Sequence, residues 1–197
     1  MHVLILPSWL AHPRSPVLGV FTLEQASAVA ELRPDWRVSL VAWGQGELEL
    51  AVRRPREWAS AAVGRIRARP GRRTRSEGLT EYRQPALSWD PRLGGGNIAS
   101  VARAALRGLR AAEAEHGAVD LIHAHVSVPA GQVAMRLKRA TSIPYVLSEH
   151  WSAPPPTLVR GDGRIRDRLR APHVAADATI AMSRAQAKTI EGWGVPR

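Results

Sequence analysis

Residues 120–131 read DLIHAHVSVPAG, and the fold turns on how they are read. A short apolar run that gives two positions to His123 and His125, then meets Pro129 and a glycine, has the form of a buried strand ending at a turn into a helix. Imidazole is an uncommon occupant of such a run, because even the neutral ring carries one donor and one acceptor that must be satisfied. Either packing satisfies them or a ligand does.

Working outward, Val119 to Ala124 reads as a strand, Pro129 to Ala140 as the helix after it, and Pro144 to Ser148 as the next strand. Toward the amino terminus the same alternation recurs. Val3 to Leu6 is an apolar run stopped by Pro7, a proline-rich loop follows, and Gly19 to Glu31 places Phe21, Leu23, Ala26, Val29 and Ala30 on one helical face. Arg37 to Trp43 is a second strand and Glu81 to Gln84 a third, and Asn97 after Gly94 to Gly96 is placed to cap a helix over Ile98 to Glu115. Toward the carboxyl terminus Ala178 to Met182 gives a sixth strand, and Ser183 caps a helix that runs to about Glu191. Strands alternating with helices of this length predict βαβ units. Near-continuous apolar strands such as VLIL and YVLS are those of a parallel sheet covered on both faces. The expected fold is therefore α/β, a doubly wound, mostly parallel, Rossmann-like sheet in one domain over 1–197, with linker-like composition confined to 11–18, 53–78 and 153–163.

Composition limits the chemistry. There is no cysteine, which removes disulfides, thiol catalysis and cysteine-ligated zinc. Net charge is +11, and arginine supplies 26 of the 28 basic residues, a skew that a GC-rich genome explains as well as function does. The exception is the segment from Arg53 to Arg75, in which Arg53, Arg54, Arg56, Arg65, Arg67, Arg69, Arg72, Arg73 and Arg75 face a single acid, Glu57. That density suits an anionic membrane or another phosphate-bearing surface, or else a plain solvated arm. The start, MHVLILPSW, has no charged leader and reads as a first strand rather than a secretion signal. No stretch approaches the roughly 18 apolar residues that span a bilayer. A cytoplasmic location, peripheral at the inner membrane face, is the expectation.

In an open parallel sheet the ligand crevice lies beyond the carboxyl ends of the strands. That rule gathers Ser8 and Trp9, His123 and His125, Glu149 and His150, and Ser183 at one edge. A metal on His-x-His with Glu149 or His150 lacks a third motif of recognised ligand spacing, so none is expected. No G-x-S-x-G elbow, phosphate loop or G-x-G-x-x-G is present. Nucleic-acid binding would rest on charge alone, without clustered aromatics for stacking, and is not expected. Gly19 at a helix start suits the close approach of an anionic group, or is a turn residue.

In order, the chain carries PSW, G-x-F at Gly19 to Phe21, EQA at Glu24 to Ala26, DLIHAH, IPYVLSEH and ADATIAMS. Over nearly its whole length, with 53–78 the least matched part, it resembles the amino-terminal domain of family 4 glycosyltransferases. The resemblance implies one half of a two-domain GT-B architecture, the half that receives the acceptor. It implies metal-independent sugar transfer with retention of configuration, a nucleotide-sugar as co-substrate and no cofactor. The implied acceptor is a glycan or a lipid-linked precursor. It places Gly19 near the donor phosphate, His125 against the transferred sugar as the catalytic residue, and Trp9, Glu149, His150 and Ser183 along the cleft. His123 is expected in the packing beneath His125. The sequence reaches GWGVPR without a nucleotide-sugar domain, so the expectation is a half that needs its carboxy-terminal domain or a partner chain and does not turn over alone. The competing expectation is a non-catalytic Rossmann-like module that docks on anionic membrane or a partner protein through the arginine arm.

Overall fold

A computed structural model describes residues 1–11, 15–44, 63–64, 68–86, 98–151, 153–154, 156–161 and 166–195. Seven strands form one sheet: β1 (His2–Pro7), β2 (Arg37–Ala42), β3 (Gly71–Ser76), β4 (Leu79–Arg83), β5 (Leu121–His125), β6 (Tyr145–Glu149) and β7 (Ala178–Ala181). Their order is β3-β4-β2-β1-β5-β6-β7, and every pair is parallel except β3 with β4. Without β3, the order is the doubly wound one, in which the direction of winding reverses between β1 and β5.

The helices are α1 (Val20–Leu32), α2 (Ile98–His116), α3 (Gln132–Thr141), α4 (Asp167–Ala175) and α5 (Arg184–Gly192). Two apolar layers sandwich the sheet. On one face Val3, Ile5, Val38, Leu40 and Leu79 meet Ala26 and Ala30 of α1. On the other, Leu4, Leu6, Val41, Ile122, Ala124, Tyr145 and Leu147 meet α2 and α3. Because β1 sends alternate side chains into both layers, all six of its residues are buried and its sequence shows no polar alternation. At the contact of α2 with β2 the helix lies so close that a Cβ on Gly108 would stand 2.5 Å from Val41 Cγ1, which leaves room for glycine alone.

Pro172 lies inside α4 and has no N–H to give the carbonyl of Arg168. Gln132 Nε2, from the first turn of α3, donates to that carbonyl instead at 2.9 Å. The helix survives its proline because a neighbour supplies the missing donor.

The structure departs from the sequence reading at the basic segment. Gly71–Ser76 is not a linker but an edge strand, turning through Glu77 and Gly78 into β4. Its residues are polar on both faces, so no period of apolar positions marks it, and charged side chains on an edge are what keep such a strand from pairing further. The helix expected from Pro129 is also split. An irregular turn over Ser127–Gly131, entered through Val126 at φ 73 and with Val128 extended at φ -131 and ψ 122, precedes α3. Gly94 to Asn97, with the expected helix cap, lie outside the described residues.

Candidate site at the winding reversal

The register sets Pro7 of β1, His125 of β5 and Ser148 of β6 side by side at the carboxyl ends of their strands, on the face toward α1. This is the point between β1 and β5 where the winding reverses, the place at which open α/β sheets hold ligands. His125 Nδ1 stands 3.1 Å from His150 Nε2, and His123 Nε2 stands 2.8 Å from Ser148 Oγ. The rings are layered, with centroids 4.3 Å apart for His123 and His125 and 5.3 Å for His125 and His150. Phe21, at the start of α1, adds its ring 4.3 Å from His150 and 6.3 Å from His125.

Sequence reasoning put His125 on the cleft, facing the sugar, and His123 in the packing beneath it. His125 is fully buried and His123 half-buried, because Phe21 and His150 close over His125. Burial, with His150 nearby, pushes the His123 imidazole down to about 4. Burial, with both neighbouring rings, pushes His125 down to about 2, and burial lowers His150 as well. All three rings are therefore neutral at pH 7. Among the described residues His125 Nε2 and Ser127 Oγ, both buried, have no hydrogen-bond partner. They are two of seven buried side-chain atoms without a hydrogen-bond partner among the described residues, and these two lie together at the winding reversal.

Beyond His125 the chain turns sharply. Val126 has φ 73 and ψ 134, an outlier for a β-branched residue. Its N–H donates to the Ser148 carbonyl at 2.7 Å, and its carbonyl accepts from the Gly131 N–H at 3.0 Å and from Ser8 Oγ at 3.2 Å. Ser8 Oγ in turn accepts from the Ala130 N–H at 3.0 Å. Glu149 reaches the same turn from below. It is fully buried, its Oε2 accepts from the Ser127 N–H at 3.2 Å, and its Oε1 accepts from the N–H groups of His150 and Trp151 at 2.8 and 3.1 Å. His173 Nε2 of α4 lies 3.3 Å from Oε2. Burial alone would raise the Glu149 carboxyl, but His173 and the backbone donors outweigh it and hold the group below the usual carboxylate range. Glu149 was expected along the cleft; its carboxylate is fully buried and bonded to backbone N–H groups on either side.

The other expected residues divide. Trp9 is half-buried and meets Trp151, centroids 6.0 Å apart, so the segments just after β1 and β6, the two strands flanking β5, touch. Gly19 is buried at φ 69, and a Cβ there would lie 2.2 Å from the Trp9 carbonyl oxygen, so contact with the chain already demands the glycine. Ser183 is exposed and its Oγ accepts from the Gln186 N–H at 3.1 Å as the cap of α5. The same Gln186 donates through Nε2 to the Trp151 carbonyl at 2.7 Å, which is the tie between that helix and the crevice. Ser8, gathered at this edge from sequence, is part of the arrangement, and Phe21, Ser127, Trp151 and His173 complete it without having been named as site residues from sequence. Trp151, an aromatic directly after a strand-end Glu-His pair, carried a readable signal; His173, within a helix of low amphipathicity, carried none.

Of the arginine patch, Arg53, Arg54, Arg56, Arg65 and Arg67 lie outside the described residues. Arg69, Arg72 and Arg73 are exposed, and Arg72 is paired with Glu115, which also accepts from Tyr82 Oη at 2.8 Å. Arg75 and Arg83 both pair with the buried Glu81. No helix among the described residues is long and apolar enough to cross a membrane. Among the described residues no three His, Asp or Glu side chains are placed to share a metal ion.

Comparison with known proteins agrees with this frame. Residues 65–197, more than half of the chain, match Glycosyltransferase Family 4. No curated protein sequence matches the chain. Among solved structures, a Listeria monocytogenes protein provisionally named a UDP-N-acetylglucosamine 2-epimerase superposes with a TM-score of 0.50 at 11% identity, covering 99% of this chain. The chain spans 43% of that protein's length, so what it shares is the fold of one half.

Proposed function

Because the chain belongs to glycosyltransferase family 4, we propose that it is the acceptor-side half of a retaining transferase that moves a sugar from a nucleotide-sugar to a glycan or lipid-linked acceptor. His125 meets the transferred sugar in this reading. The observation that carries it is the bare Nε2 of a buried, neutral imidazole at the winding reversal, the position where open α/β sheets hold ligands. A neutral ring held by His150 through its other nitrogen has one defined role at Nε2, donor or acceptor, toward a single hydroxyl. A buried hydroxyl contact of that kind discriminates strongly, since a sugar lacking the group leaves the imidazole unpaired.

A second Rossmann-like half holds the nucleotide and stabilises the departing diphosphate. Trp9 and Trp151 offer apolar ring surface beside the crevice for the acceptor. The test is a nucleotide-sugar panel on the two-domain protein, with product detected by mass spectrometry and its anomeric configuration by NMR. His125→Ala lowers kcat/KM by at least about tenfold, the worth of one buried hydrogen bond of ~1.4 kcal/mol, while affinity for the free nucleotide is unchanged. Unaltered turnover in this variant would remove His125 from the reaction, and a product of inverted configuration would remove the retaining chemistry.

A further inference from the structure

We infer that Glu149 is a positioning residue for His125: its carboxylate locks the turn that follows His125 to the strand end that carries His150, and so fixes the hydrogen bond between the two rings. The inference rests on the reading of His125 as the sugar-facing residue only for its functional consequence.

Three backbone N–H groups from two segments converge on the two oxygens of Glu149. Ser127 belongs to the turn after β5, and His150 and Trp151 follow β6. An ionised carboxylate is the one side chain that accepts at both ends and donates at neither. Glutamine in its place would turn an NH2 toward an N–H on one side or the other. His173 Nε2 on α4 lies 3.3 Å from Oε2 without a hydrogen bond. The carboxylate therefore joins the two strand-end segments at one fully buried point, with α4 packed against it.

The two rings inherit their placement from those segments. His150 hangs from the residue whose N–H is held by Glu149 Oε1, and His125 immediately precedes the turn whose Ser127 N–H is held by Oε2. A bond between two neutral imidazoles needs one nitrogen protonated and the other bare, so 3.1 Å between His125 Nδ1 and His150 Nε2 couples their tautomers. If the two strand ends drift, each ring chooses its tautomer alone. The role of His125 Nε2 toward a hydroxyl is then no longer fixed.

The readout is the ring state, by long-range proton–nitrogen correlation NMR on the nitrogen-15-labelled 197-residue chain at pH 7.5, with Glu149→Gln and Glu149→Asp. Aspartate keeps the charge and the two acceptor contacts to its own following residues but falls short of Ser127. In the unaltered chain His125 and His150 each show a single tautomer. In either variant the tautomer ratio of His125 moves by at least about fivefold, the scale of one lost hydrogen bond, while amide signals from β2, β3 and β4 stay in place. A folded variant of either kind with unchanged imidazole signals overturns the inference. Unfolding of both overturns it as well, since Glu149 would then be a residue of the whole fold; if one unfolds, the other decides. Turnover plays no part in the measurement, so its failure is separate from failure of the sugar-transfer reading.

Discussion

Lowering the pH from 7 to 5 should destabilise this chain through its buried histidines, by an amount the structure fixes. His123 and His125 hold their protons only below about 4 and about 2, against an ordinary value of 6.5 that applies once the chain unfolds. A group whose folded value is depressed leaves stability intact above its unfolded value and erodes it as the pH falls toward the folded one. Between pH 6.5 and 5 the unfolded chain takes up two protons that the folded chain refuses. Each costs ~1.4 kcal/mol per pH unit, so the loss at pH 5 is about 2 kcal/mol per ring and about 4 kcal/mol together. That is a large part of a typical folding free energy of ~5–15 kcal/mol. His150 and His116, also lowered by burial, act in the same direction. The carboxylates Glu149, Asp177 and Glu115, all held below their usual values, erode stability only below about 4.5, outside this window.

Urea unfolding followed by tryptophan fluorescence at pH 7, 6 and 5 measures the effect. With a slope near 2 kcal/mol per molar urea, the midpoint falls by about 2 M across the range. His123→Asn removes one of the two protons from the balance, so its pH dependence is shallower by ~1.4 kcal/mol per unit. Repulsion within a chain of net charge +11 is common to both proteins and cancels in that difference. A midpoint that stays level from pH 7 to 5 would refute the reasoning, because the imidazoles would then titrate as they do in water.

Two further outcomes test the support of the crevice. Ser8→Ala strips the Ala130 N–H of its acceptor and the Val126 carbonyl of one donor, both buried, and should lower stability by about 1–3 kcal/mol; an unmoved urea midpoint would show that Ser8 does not hold the turn. Gly19→Ala must put a Cβ against the Trp9 carbonyl and accept a left-handed backbone costing about 1–2 kcal/mol before any clash; hydrogen exchange at Trp9 to Phe21 should accelerate, and wild-type protection there would contradict the close contact.

How much of this was legible depends on which side of the sheet a residue serves. Val3 to Leu6, Ile122 with Ala124, and Tyr145 with Leu147 show in the sequence because strands buried on both faces are apolar without interruption. β3 did not show, since an exposed edge strand has no layer to fill and its Gly-Arg-Arg-Thr-Arg-Ser is free of any hydrophobic period. His125 and His150 were legible as polar residues at strand ends. Glu149 was legible only as a position, because a carboxylate at a strand end ordinarily faces water, and the residue that helps bury it, His173, sits on a distant helix. Gly19 was read either as admitting an anionic group or as a turn residue, and its φ of 69 with the Trp9 backbone against it fits the second.

Val126 explains why so many groups attend one turn. A β-branched residue at φ 73 stores about 1–3 kcal/mol of strain. Glycine would relieve it, but would also surrender a fully buried side chain worth about 1.5–3 kcal/mol. The two nearly cancel, so the identity of residue 126 does not decide the conformation. The hydrogen bonds do: Val126 to Ser148, Gly131 to Val126, Ser8 to Val126, Ala130 to Ser8 and Ser127 to Glu149. At about 0.5–1.5 kcal/mol each, the five exceed the strain. They tie the turn after β5 to itself, to β6 and to Ser8 just after β1, so the turn holds its shape only while the ends of β1, β5 and β6 stay in register. His125, one residue before the turn, cannot relax its backbone without breaking that set. Under the proposed reading, in which His125 Nε2 meets a sugar hydroxyl, the cost of holding that nitrogen in place is met by the fold rather than by the ligand's own binding.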